Sequence, residues 1–160
     1  MIRRGCTVVL LAALVVGAAN QLTGQEQDHE RKVTRKNLPA AVARTVDAQS
    51  KGATIRGYSE EEENGQTFYE VELRVNGHTR DVLIDAKGAV VEVEEEVDLG
   101  SLPAAVRDGL KAGAGSGKIG VVESVTKGGQ IVAYEAHVST NGKKSEVKVG
   151  PDGKPLQGEP

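Results

Sequence analysis

A five-residue run, Leu38-Pro39-Ala40-Ala41-Val42, recurs unchanged as Leu102-Pro103-Ala104-Ala105-Val106, 64 residues further along. The agreement continues in order: Ile55 answers to Ile119, and Gly65-Gln66 to Gly129-Gln130. Past that point the spacing becomes 65, with Tyr69-Glu70 and Tyr134-Glu135, Asn76-Gly77 and Asn141-Gly142, Val82 and Val147, Gly88 and Gly153. One extra residue therefore enters the second copy between Gln130 and Tyr134, where a bulge or longer turn absorbs it. Collinear identity of this kind is the mark of an internal duplication. It divides the chain into two repeats, 38–101 and 102–160. A unit this short has a marginal core alone, so the two copies are expected to pack together or join sheets.

Both copies carry the same pattern. Asn37 and Ser101 stand as caps ahead of each Leu-Pro pair, and proline is tolerated in a first helical turn. Leu38, Val42 and Val46 then form an apolar stripe at helical spacing, as do Leu102, Val106 and Leu110. Gly52 stops the first helix; Gly113, Gly115 and Gly117 stop the second. The period then changes to two: Tyr69, Val71, Leu73 and Val75 alternate with Phe68, Glu70, Glu72 and Arg74. Asn76-Gly77 is a two-residue hairpin signal, and strands over 78–85 and 91–97 follow, with a less regular one over 54–59 before them. The predicted fold is α+β: two tandem repeats, each one helix packed on a roughly four-stranded antiparallel meander sheet.

The run from Leu-Pro-Ala-Ala-Val through Tyr-Glu-Val-Glu-Leu, Asn-Gly and Asp-Ala-Lys-Gly-Ala-Val-Val-Glu-Val-Glu resembles the PepSY-like domains, also described as β-lactamase-inhibitory-protein-like. The match covers 38–98 well and 102–157 more weakly. The resemblance implies an exported α+β protein, in tandem, with a non-catalytic role: binding or restraining an extracytoplasmic protein or peptidase. Inhibition of a β-lactamase in particular does not follow, because the chain has no Trp and only four aromatics, whereas tight interfaces lean on aromatic anchors.

The N-terminus reads as an address. Arg3 and Arg4 precede the apolar run Thr7–Val16, and Gly17-Ala18-Ala19 supplies small residues for cleavage after Ala19, the pattern of a secretory signal peptide over 1–19. The run is too short to span a membrane, so no stable membrane anchor is expected once it is removed. Cys6, the one cysteine, leaves with it, so the mature chain has no disulfide, thiol nucleophile or cysteine-based metal site. Residues 20–37 form a flexible polar lead-in. The expected location is periplasmic or secreted.

Composition removes several function classes. The net charge is −3, and loss of Arg3 and Arg4 makes the mature chain more acidic still, which opposes binding to nucleic acid. Sparse aromatics remove the platforms on which single strands stack. The histidines, His29, His78 and His137, show no metalloprotease spacing. There is no Gly-x-Ser-x-Gly elbow, and Lys111–Lys118 follows a helix where a phosphate loop would follow a strand. No catalytic set, cofactor or metal site is assigned.

Two acidic clusters remain, Glu60–Glu63, read as a loop, and Glu92, Glu94, Glu95, Glu96 with Asp98, read as an outward-facing strand. They suit a solvated surface, an electrostatic contact or weak calcium binding. The predicted partner surface is the polar sheet face, with Phe68, Glu70, Glu72, Arg74, Glu135 and His137 contacting a protein or peptide and Phe68 as its apolar anchor. The competing assignment puts the helix on that face. The alternative function is a calcium- or cation-responsive envelope sensor.

Overall fold

The computed structural model describes residues 29–63 and 65–156. The signal segment 1–19, and residues 20–28 of the lead-in, lie outside the described residues. The first helix, α1, spans Ala40–Gln49 and is preceded by strand β1, His29–Lys32. Four strands follow: β2 (Thr54–Glu63), β3 (Gln66–Val75), β4 (His78–Asp85) and β5 (Val90–Glu96). Helix α2 (Ala104–Ala114) leads into β6 (Lys118–Lys127), β7 (Gln130–Thr140) and β8 (Lys143–Val149).

The predicted pair of four-stranded units is overturned. The eight strands of the described residues belong to one antiparallel sheet in the order β1-β2-β3-β4-β5-β6-β7-β8. Five strands precede α2 and three follow it. The joint is the β5–β6 ladder, which runs from Glu92↔Lys127 to Glu96↔Glu123. Two separate sheets would leave both of these strands with unpaired backbone at an edge; pairing them satisfies it. The fifth strand of the first half is β1, drawn from the segment read as lead-in. It pairs with β2, and Arg31 forms an ion pair with Glu60 at 2.7 Å. In the second half the described residues after β8 make a single isolated bridge, Val149↔Pro155.

The two helices pack on the same side of the sheet. Leu38, Val42 and Val46 meet Tyr69, Val71, Leu73, Val82 and Ile84, and Leu102, Val106 and Leu110 meet Val122, Tyr134, Ala136, Val138 and Val149. These are the stripes the spacing predicts. The row Leu73–Arg80–Glu95–Ser124–Tyr134–Val149 runs in register through both clusters, which places both helices over one face.

Asn37 and Ser101 do not cap the helices. Each closes a single 3-10 turn, Arg35–Asn37 or Leu99–Ser101, and Pro39 and Pro103 occupy the cap positions. Both Asn-Gly pairs have positive φ at each residue, 51° and 91° for Asn76-Gly77, 51° and 80° for Asn141-Gly142, as the tight hairpin turn requires. The turn glycines after β4 and β8 tie sheet to helix. A Cβ on Gly88 would stand 2.9 Å from the Ala41 carbonyl, and one on Gly153 would collide with that of Ala105. Thr45 donates its hydroxyl to the Gly88 carbonyl at 2.6 Å. At the corresponding place in α2 stands Gly109, where any side chain would strike the Gly153 carbonyl.

Candidate binding face

With both helices on one side, no helix among the described residues covers the other face. Register fixes its contents. One row runs Gly57–Glu72–Asp81–Glu94–Val125–Ala133, the next Ser59–Glu70–Leu83–Glu92–Lys127, and beyond it stand Glu61, Phe68 and Asp85. Toward the other end of the strands lie Arg74, Thr79, Glu96, Glu123, Glu135 and Lys148. All six predicted contact residues therefore share the helix-free face. Their exposure is not what the sequence suggests. Phe68 is 5% exposed, flanked across the strands by Glu61 and Asp85, so it is no protruding anchor. Glu70 is 3% exposed, Glu72 is half-buried and Arg74 is exposed. Glu135 is buried and paired with the half-buried Lys148, and His137 is half-buried, its Nε2 3.0 Å from Glu123 Oε2 and its Nδ1 3.5 Å from Glu146 Oε1.

The acidic clusters also change character. Glu60–Glu63 is not a loop but the end of β2, paired to β1 on one side and β3 on the other. Glu92 is not solvated: it is 2% exposed and held by Lys127 at 2.8 Å. Glu61, Glu63, Asp81 and Glu123 are buried as well. Long side chains shield one another here, and register breaks in β2, β6 and between β4 and β5 bend the strands. Asp81, Glu123, Lys127 and Lys148 are members of the face that the strand-by-strand reading missed; Glu94, read as outward-facing, joins them. The alternation of acids in three adjacent strands was the available signal.

Burial of so many carboxylates has an electrostatic consequence. Loss of water pushes Glu61 up to about 7, with the charges of Glu63, Glu30 and Glu92 adding to it. Burial raises Glu70 further, helped by its hydrogen bond to Glu61 and by the charges of Asp81 and Glu72. The two carboxyls thus share a proton, one donating to the other. Burial also lifts Glu135, although Lys148 draws it down. Glu96 goes the opposite way because the Thr79 backbone N–H and hydroxyl both donate to it, at 3.0 and 3.1 Å.

Raised carboxyl pKa values mark functional sites as well as structural ones. Ser59 Oγ, which donates to Glu70 at 3.3 Å, is itself buried. Among the described residues no three His, Cys, Asp or Glu side chains converge as a metal site. The arrangement is suited to contact across a broad charged face.

No protein-family model matches the chain, and no curated protein matches its sequence. Solved structures do. A candidate periplasmic protein from Bacteroides eggerthii superposes with a TM-score of 0.62 at 18% identity, over 75% of this chain and 86% of that one. A DUF2874 family protein from Bacteroides ovatus gives 0.59 at 19%, over 76% and 86%. A BLIP-like protein from Bacteroides fragilis gives 0.55 at 18%, over 74% and 84%. At these identities the likeness is one of fold: the chain has the fold shared by DUF2874 and BLIP-like proteins.

Proposed function

We propose that this is an exported, non-catalytic binding protein whose helix-free sheet face receives another extracytoplasmic protein or peptide. The observation behind this reading is the placement of both helices on one side, which leaves Glu70, Glu72, Arg74, Glu135 and His137 together on the other. Export is supported by the signal pattern over 1–19 and by the fold shared with candidate periplasmic proteins. No described helix is long and apolar enough to cross a membrane. The PepSY-like assignment and the descent of 38–101 and 102–160 from one duplicated unit rest on the repeated sequence. A role in restraining a peptidase rests on the PepSY-like resemblance alone.

Affinity capture with residues 20–160 from extracytoplasmic extract tests the reading, using two obstacles. Glu72→Trp places a bulky ring on the proposed face, and Arg44→Trp places one on the exposed side of α1. Loss of a captured protein with Glu72→Trp alone is the expected result. Retention with Glu72→Trp removes this face from the proposal.

A further inference from the structure

We propose that His137 is a pH-sensitive clamp: as an imidazolium it ties β8 to β7 and β6 through Glu146 and Glu123, and on losing its proton it releases the exposed half of β8. The clamp lies wholly in the second repeat and does not depend on the binding role proposed above.

His137 stands on β7 with a carboxylate at each ring nitrogen. Glu123 Oε2, from β6, is 3.0 Å from Nε2, and Glu146 Oε1, from β8, is 3.5 Å from Nδ1. A neutral imidazole has one N–H, so one of its nitrogens would turn a lone pair toward a carboxylate. An imidazolium presents an N–H to both. Glu123 is 5% exposed, so water screens its charge poorly, and discharging the histidine leaves a buried carboxylate without its cation.

The neighbouring acids favour the proton. Glu96 of β5 and Glu135 of β7 stand opposite Glu123, and Glu146 stands opposite His137. Against them are Lys118 of β6 and Lys144 of β8, both exposed and both opposite Ser139, and Lys148, which pairs with Glu135. The fold itself does not require a histidine here. At the offset of 65, His137 answers to Glu72 and Glu146 to Asp81. In the first repeat those two acids oppose each other directly across β3 and β4.

Strand β8 is the element such a clamp governs, because it is the last strand of the described sheet. Its far end is held in other ways: Val147 and Val149 pack with the core under α2, and Pro155 and Leu156 meet the strand at Val149 and Lys148. Residues 143–146 are exposed, and the contact of Glu146 with His137 reaches into them. A histidine in an unfolded chain titrates near about 6.5, and two facing carboxylates raise the folded value. The hold on β8 is therefore complete below about pH 6.5 and is lost as pH rises through the folded midpoint.

NMR on the mature chain, residues 20–160, tests the clamp in two ways. The imidazole of His137 is expected to titrate at a higher pH in the native chain than in Glu123→Gln or Glu146→Gln. Hydrogen exchange then reads the strand. His137→Gln keeps a donor, cannot titrate, and retains the Glu61–Glu70 pair, which weakens the fold over the same pH range, so it serves as the reference. Protection of the amides over 143–147 is expected to fall roughly three- to tenfold between about pH 5.5 and about pH 8 in the native chain, and less than about twofold in His137→Gln. An equal fall in both overturns the clamp. So does a His137 midpoint that Glu146→Gln leaves unmoved, because the histidine would then have no hold on β8.

Discussion

Glu70 is the residue at which stability and the proposed role pull hardest against each other. Its carboxyl is raised by burial, and Glu61 beside it is raised to about 7. In the unfolded chain both return to ordinary glutamate values near 4.5. The folded state therefore holds protons that the unfolded state releases, so this contribution to stability is complete below about pH 4.5 and is lost as pH rises through the folded values. Thermal unfolding between about pH 5 and pH 8 is expected to show a falling Tm. Glu70→Gln cannot ionise and keeps the side-chain length. It is expected to raise Tm by roughly 4–8 °C at pH 8, on the order of 2 kcal/mol, and by much less at pH 5. Equal gains at both pH values would deny the shared proton. Gly153 gives the opposite case. Its φ of 78° and its contact with the Ala105 backbone leave no room for a methyl group. Gly153→Ala is expected to lose about 2 kcal/mol or more in denaturant unfolding, since a side chain at positive φ alone costs about 1–2 kcal/mol.

Elements differed in how far the sequence betrayed them. The helices were legible because each carries one apolar stripe over a sheet, and the β3–β4 and β7–β8 turns because Asn-Gly dictates its own backbone. Strand β3 was legible from strict alternation. The end of β2 was not: four consecutive glutamates look like a solvated loop, yet backbone pairing to β1 and β3 holds Glu60–Glu63 extended, with Glu61 and Glu63 buried on the helix-free face. Strand β1, with sequence His-Glu-Arg-Lys, has no apolar alternation and owes its pairing to β2. Arg31, whose guanidinium bonds Glu60 at 2.7 and 2.9 Å, is its main side-chain tie. Arg31→Ala is expected to cost about 0.5–1 kcal/mol, as an exposed pair does, and to speed amide exchange in β1 while β3 stays protected. A matching acceleration in β3 would make β1 part of the central cooperative unit instead. That the six predicted contact residues share one side of the sheet was legible, because alternation and the repeat offset place them there. Their burial was not, since it depends on how acidic side chains from five strands lean together, and one strand's pattern carries no trace of its neighbours.

At the scale of the whole molecule, the question is whether the β5–β6 joint makes one folding unit from two cores. The apolar clusters are separate: one lies under α1, the other under α2, and they meet through a ladder that is mostly Glu92, Glu94 and Glu96 against Lys127, Val125 and Glu123. Backbone pairing transmits cooperativity even where side chains repel, because freeing either half would leave β5 or β6 with an unpaired edge. Leu110, fully buried beneath α2, offers the cleanest perturbation. Leu110→Ala is expected to cost about 2–5 kcal/mol through the cavity it leaves. If the sheet unfolds as one body, that loss appears in β3 and β4 as well as in β6–β8, and hydrogen exchange of the slowest amides in both halves rises by the same factor. If the halves unfold independently, acceleration stops at β6, and the β3 amides behind Val71 and Leu73 keep their protection. The distinction bears on the binding face directly. Its rows run from β2–β5 across the joint into β6–β8, so only a sheet that stays joined keeps Lys127 on Glu92 and holds the two halves of the proposed face together.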